Sequence, residues 1–187
     1  MISLLCGIYA LRALLRHYRA ALHPLKLVFV VFGIWALSFC APDLRSACIR
    51  YVQLLILAAI ARIDCCHLII PDLLSVSLLM AGLLAGGQPP LPQMLLAALP
   101  AFIMLAMNRL WKPCFGAGDI KLCLICAILR GTAFLRWLRL SLLLGGLYAA
   151  MALISKRCKA GSRLPLAPWL VLADAMSLLA VSGQNLL

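Results

Sequence analysis

Glutamate is absent from this chain of 187 residues, and aspartate occurs only five times, at Asp43, Asp64, Asp72, Asp119 and Asp174. Charged residues together make up 12%, about half the ~25% of an ordinary soluble protein. A surface that poor in charge cannot keep a compact domain in water. No polar stretch between the apolar runs is long enough to hold a separate soluble domain. Internal repeats and low-complexity tracts are also missing, which excludes a solenoid or a disordered linker protein.

What is present is hydrocarbon. Apolar residues make up 66% of the chain, against about 45–50% in soluble proteins. One small core cannot absorb that excess, so a second apolar solvent is required, and lipid is the available one. Breaks in hydropathy divide the chain into seven or eight runs; Met94–Trp111 approaches the ~20 residues a span needs. Backbone groups in lipid must be satisfied within the segment, so the runs are expected to be helices. The expected fold is therefore all-α, a polytopic transmembrane helix bundle forming one membrane domain over residues 1–187. The polar segment Pro42–Arg50 reads as a turn before an apolar run Tyr51–Ile63. No cleavable secretory signal is expected, since basic residues follow the first apolar run instead of preceding it.

The charge balance is +12, from 17 Lys plus Arg. Nucleic acid is not the expected partner, because the cations lie in short breaks between apolar runs, where they suit anionic lipid headgroups. One set of alternate loops holds twelve of them: Arg12, Arg16, Arg19, Lys26, Arg62, Arg109, Lys112, Lys121, Lys156, Arg157, Lys159 and Arg163. The other set holds Arg45, Arg50, Arg130, Arg136 and Arg139. By the positive-inside rule the first set is cytoplasmic, with the Arg130–Arg139 cluster as the misfit. That topology places Asp64, Asp72 and Asp119 at one membrane face, and Asp43 and Asp174 elsewhere. Trp35, Trp111, Trp137 and Trp169 suit interfacial belts.

Two segments carry chemistry. The first is Ile63-Asp64-Cys65-Cys66-His67-Leu68-Ile69-Ile70-Pro71-Asp72, in which Asp64 closes an apolar run. An ionisable acid at a membrane is a functional candidate by default. Asp72 is read equally well as a helix-start residue beside Pro71. The second is Phe115-Gly116-Ala117-Gly118-Asp119-Ile120-Lys121. Gly116 and Gly118 permit φ > 0 and close backbone approach, so the chain can bend sharply and hold Asp119 near a substrate backbone. Lys121 pairs with an acid of the site or the substrate, or anchors the helix at the headgroups.

Taken in order, Asp64, then Pro71-Asp72, then Gly116-x-Gly118-Asp119-x-Lys121 resembles the type IV prepilin peptidase family, a pattern that archaeal preflagellin peptidases share. The stretch Arg163-Leu164-Pro165-Leu166-Ala167-Pro168-Trp169 is similar to that family's proline-rich lead-in to its last span. The resemblance covers residues 51–179 as a peptidase core. It implies an aspartic endopeptidase with Asp64 and Asp119 as the catalytic pair, and with Asp72, Lys121, Gly116 and Gly118 at the substrate. The implied substrate is a prepilin or pseudopilin, whose basic leader is cut at the cytoplasmic face of the inner membrane. Contact with pilus or secretion machinery follows from the same resemblance. Two close carboxylates cannot both ionise cheaply, so one keeps a proton; the ionised one activates water and the neutral one donates to the scissile carbonyl. Which aspartate does which is left open.

Presenilin-like proteases also carry Gly-x-Gly-Asp, but their other aspartate usually follows Tyr, whereas Ile63 precedes Asp64 here. A related protease of another signal or transmembrane peptide is therefore one rival reading. A non-catalytic assembly or transport component is another. The sequence also departs from many family members, whose first cytoplasmic loop carries two Cys-x-x-Cys pairs linked to N-methylation. The matching stretch Arg16–Lys26 has no cysteine, which puts methyltransferase activity in doubt. The Cys123/Cys126 pair sits alone in an apolar run and reads as packing, so neither metal nor cofactor is expected. Cys40 and Cys48 are candidate disulfide partners in an oxidising periplasm. His17 and His23 read as surface residues of the basic N-terminal loop, and His67 as a headgroup contact or a modulator of the aspartate pair.

Overall fold

A computed structural model of the chain describes residues 2–20, 22–38, 43–111, 115–156 and 165–184. Those residues form eight helices and no strand. They are α1 (Ile2–His17), α2 (Pro24–Ser38), α3 (Leu44–His67), α4 (Asp72–Ala85), α5 (Leu91–Leu110), α6 (Ala117–Arg130), α7 (Ala133–Ile154) and α8 (Ala167–Gln184).

Hydropathy suggested seven or eight spans, but only α3, α5 and α7 are both long and apolar enough to cross a bilayer by themselves. The short helices explain the difference. Helices α4 and α6 have 14 residues each, about 21 Å at 1.5 Å per residue, against a hydrocarbon core of about 30 Å. Broad apolar surface remains outward-facing, as on α5, where Leu95, Leu99, Phe102 and Ile103 are exposed. Such continuous apolar exposure is a surface made for lipid, and the chain is a membrane protein.

Helix α3 is the hub, packing against α1, α2, α4 and α8. Helix α6 packs chiefly on α5 and α4, and α8 on α7 and α3. The interior combines Ile60 and Ile63 of α3, Leu74 and Leu78 of α4, Ala97 and Ala101 of α5, Leu122, Cys123 and Cys126 of α6, and Leu170 and Ala173 of α8. Small residues let the backbones close up. A Cβ on Gly82 would strike the side chain of Leu129 at 2.2 Å. Gly131 ends α6 at φ 53°, where a side chain would also meet Pro89 at 2.7 Å.

Three expectations change. Pro42–Arg50 is not a turn throughout. Asp43 is an N-cap whose carboxylate accepts from the Ser46 N–H at 2.9 Å, so α3 starts at Leu44 and gains more than a turn. That bond holds the Asp43 carboxyl below its ordinary range. Second, Arg136 and Arg139 belong to α7, and Arg130 turns inward to Asp174 of α8 at 3.4 Å. Arg130 is therefore the half-buried last residue of α6, paired across the bundle, and not a loop charge. Third, Trp137 is buried beneath the Arg130 guanidinium, 4.5 Å from ring centre to Cζ, and is no interfacial anchor. Cys40, Lys112, Arg157, Lys159 and Arg163 lie outside the described residues.

Candidate active site

Asp64 stands in the last turn of α3 and is buried. The helix closes just beyond it. Leu68 takes a left-handed conformation, φ 53°, and its N–H returns to the Asp64 carbonyl at 2.9 Å. The carboxylate of Asp64 meets the beginning of α8, where the Ala167 N–H donates to Oδ2 at 3.1 Å.

This bond settles an account at the start of α8. The first N–H groups of a helix have no partner within it. Here Leu166 cannot cap with its apolar side chain, although its carbonyl accepts from Trp169 and Leu170. Pro168 has no N–H to satisfy. The remaining orphan donor, Ala167, is taken by Asp64 from another helix. Asp64 therefore acts as a tertiary N-cap, and the positive end of the α8 dipole faces its carboxylate.

Asp119 stands in the first turn of α6, half-buried. Its neighbour Gly118 packs on Ile70, six residues beyond Asp64, so the start of α6 lies at the same end of the bundle as the end of α3. Asn108, near the end of α5, fixes the approach to Asp119. Its side-chain amide donates to the Phe115 carbonyl at 2.8 Å, and its oxygen accepts the Phe115 N–H at 3.0 Å. One carboxamide thereby serves both backbone groups of the residue that enters the glycine segment.

The two glycines act by close approach alone. Gly116 is the N-cap of α6 at φ −66°, ψ 140°, and neither it nor Gly118 has a positive φ. A Cβ on Gly118 would sit 2.9 Å from Ile70 Cβ and 3.4 Å from Ile70 N, so its bare backbone seats α6 on the α3–α4 connection. A Cβ on Gly116 would be 3.0 Å from Asp119 Oδ2. The expected φ > 0 is thus replaced by a demand for space.

Asp72 and Lys121 also come together, as an ion pair between the first turns of α4 and α6. Both are exposed, Asp72 with 77% of its side-chain surface open. Cys65, Cys66 and His67 are exposed beside Asp64, while Cys123 and Cys126 lie in the core. Arg62, two residues before Asp64, donates to the Ala20 carbonyl at 3.2 Å and ties the α1–α2 connection to α3.

All six residues singled out in the sequence thus lie at one end of the bundle, on α3, α4 and α6 and the segments between them. A family model for the type IV leader peptidase family matches residues 51–154, more than half of the chain. The chain belongs to the type IV leader peptidase family. Neither the curated proteins nor the solved structures yield a match. As a leader peptidase family member, the chain is a peptidase held in a membrane. The matched segment takes in Asp64, Asp72, Gly116, Gly118, Asp119 and Lys121. It ends before α8, so the donor to Asp64 comes from outside it.

Sequence reasoning missed Asn108, Ile70 and the Ala167 N–H. Asn108 carried a usable signal, since a lone carboxamide near the end of an apolar run needs partners for its donor and acceptor. The backbone of Ala167 carried none.

Proposed function

We propose that this leader peptidase is an aspartic endopeptidase that removes the basic leader of type IV prepilins or pseudopilins at the cytoplasmic face of the inner membrane. The observation that carries the reading is the pairing of Asp64 and Asp119. Two carboxylates from different helices stand at one end of an acid-poor bundle, Asp64 in the last turn of α3 and Asp119 in the first turn of α6. In such a pair one carboxyl holds the proton. The ionised carboxylate takes a proton from water as the water attacks the scissile carbonyl. The protonated partner donates to the carbonyl oxygen, and the resulting diol collapses with proton transfer to the leaving amine.

The substrate enters as a membrane-inserted helix with an extended leader. Exposed Gly116, without a side chain, leaves room for the leader backbone beside Asp119. Gly118 acts at the substrate through the seating of α6 on Ile70. Asp72 offers an exposed carboxylate to a basic leader, and Lys121 competes for it. Lys121 is paired with Asp72, which offsets one cation of the basic rim, whereas Arg62 keeps its charge while it donates to a backbone carbonyl.

The whole chain works as one membrane domain around a peptidase core at residues 51–179. Its remaining helices complete seven or eight crossings, with α4 and α6 as the short members. Anionic headgroups meet the cytoplasmic cations, and pilus or secretion machinery is met through the substrate. The reaction needs neither cofactor nor nucleic acid. Co-expression with a prepilin, followed by intact-mass analysis, tests the reading. Loss of a leader cut after Gly is expected. A cut indifferent to that Gly would assign the chain to another peptide substrate, and an uncut prepilin would refute the reaction.

A further inference from the structure

The chain holds a second buried carboxylate that the proposed reaction does not use. Asp174, on α8, is fully buried, and both its oxygens lie 3.4 Å from the Arg130 guanidinium at the end of α6. Trp137 of α7 stacks beneath that guanidinium, and the charge of Arg50 on α3 also acts on Asp174. A small cavity reaches Arg130 between Gln53, Leu57 and Trp137.

We infer that Arg130 and Asp174 are a positioning pair that sets the separation of the two carboxylates at the other end of the same helices. This rests on the aspartic reading above. Helix α6 carries Asp119 in its first turn and Arg130 as its last residue. Helix α8 presents the Ala167 N–H to Asp64 at its start and Asp174 two turns later. Both helices therefore begin at the site and run in the same sense. Helical side chains lean back toward the N-terminus, so the long Arg130 side chain meets Asp174 although it starts further along its own helix.

Helices α6 and α8 are not main packing partners, since α6 packs chiefly on α5 and α4 and α8 on α7 and α3. The Gly118–Ile70 contact and the packing of α6 on α4 seat the start of α6, and the ion pair adds a direct side-chain link between the far end of α6 and the helix whose first N–H holds Asp64. With it, each end of α6 is tied, by Lys121 to Asp72 and by Arg130 to Asp174. A buried ion pair is a poor source of stability, because apolar replacements are often as stable, but it defines one geometry.

Hydrogen exchange and steady-state leader cleavage, measured on the full-length protein in detergent, test the pair. Arg130→Gln and Asp174→Asn are the first variants. The double variant Arg130→Met with Asp174→Leu removes both charges together, so that no unpaired charge is left to unfold the protein. In all three, exchange across residues 165–170 should quicken about tenfold while α4 and α5 stay protected. Their kcat should fall about 10- to 100-fold with KM unchanged, as expected for a misplaced reacting group. Unchanged exchange at residues 165–170 would overturn the inference, and so would faster exchange spread over every helix. If the wild type cleaves no leader, the proposed reaction fails while the exchange data still decide the link between the pair and the start of α8.

Discussion

The backbone N–H of Ala167 donates to Asp64 Oδ2 at 3.1 Å, joining the start of α8 to the end of α3 across 103 positions of sequence. A buried carboxylate thereby gains a fixed partner, and a helix that cannot cap itself gains a cap. Ala167→Pro isolates this bond. Proline is tolerated at the first helical position, so α8 should still form while the donor is lost. Leaving the carboxylate one partner short costs about 1–3 kcal/mol. Initial rates of leader cleavage should fall about 10- to 100-fold. A rate within twofold of wild type would show that Asp64 does not depend on the Ala167 N–H.

Gly118 and Ile70 define the seat of α6. Gly118→Ala places a methyl 2.9 Å from Ile70 Cβ and 3.4 Å from the Ile70 backbone nitrogen, and only part of that clash can be relieved by a side chain. Overpacking of this kind costs about 1–3 kcal/mol. Thermal unfolding should report that loss, and Ile70→Ala in the same chain should not recover it, because alanine keeps the Cβ that is struck and leaves a cavity in the core. Gly116→Ala should be milder in the fold, because its new methyl meets only the carboxylate end of Asp119.

Asn108 holds both backbone groups of Phe115. Asn108→Leu keeps the volume and removes both bonds, at a cost of about 1–3 kcal/mol for the groups left unpaired. Asn108→Asp keeps the acceptor for the Phe115 N–H and faces the carbonyl with a second oxygen. Both variants should lower kcat and melting temperature together, Asn108→Leu as the milder test of charge and the stricter test of hydrogen bonding. Equal activity in all three proteins would show that the glycine segment is held by other means.

Asp72 and Lys121 form an exposed pair, worth about 0–1 kcal/mol. Neither Asp72→Asn nor Lys121→Gln should move the melting temperature appreciably. They should separate in kinetics. Asp72→Asn should raise KM for a basic leader by up to about fivefold, the equivalent of about 1 kcal/mol. Lys121→Gln, which frees Asp72, should leave KM equal or lower. Identical KM values across both variants and across salt concentrations would remove Asp72 from leader recognition.

The sequence made some of this legible through local signals. The lengths of apolar runs revealed α5 and the bulk of α3 and α7, and alternation of the loops put Asp64 and Asp119 at the same end. What it hid was tertiary. Asp43 and Ser46 form a local cap, but the surrounding polar residues Arg45 and Arg50 made the segment read as a loop. Arg130 looked like a loop cation because its partner Asp174 lies 44 residues away. Trp137 reads as an interfacial residue in the sequence, whereas it is buried beneath Arg130. Gly116 and Gly118 suggested a conformational need, whereas their backbone angles are ordinary and their neighbours are close. The Ala167 donor is a backbone atom, and no residue type announces it.

The central claim is that Asp64 and Asp119 act as one catalytic pair. Its most direct test is leader cleavage by wild type, Asp64→Asn and Asp119→Asn, each at equal abundance in the membrane, with the product read by intact mass. Asparagine keeps the shape and removes the ionisable carboxyl. Cleavage by wild type and loss of at least about a thousandfold in each variant is the expected result. The same spectrum shows whether the new N-terminus carries a methyl group. Cleavage by both variants near the wild-type rate would contradict the aspartic mechanism and leave the two carboxylates as structural groups.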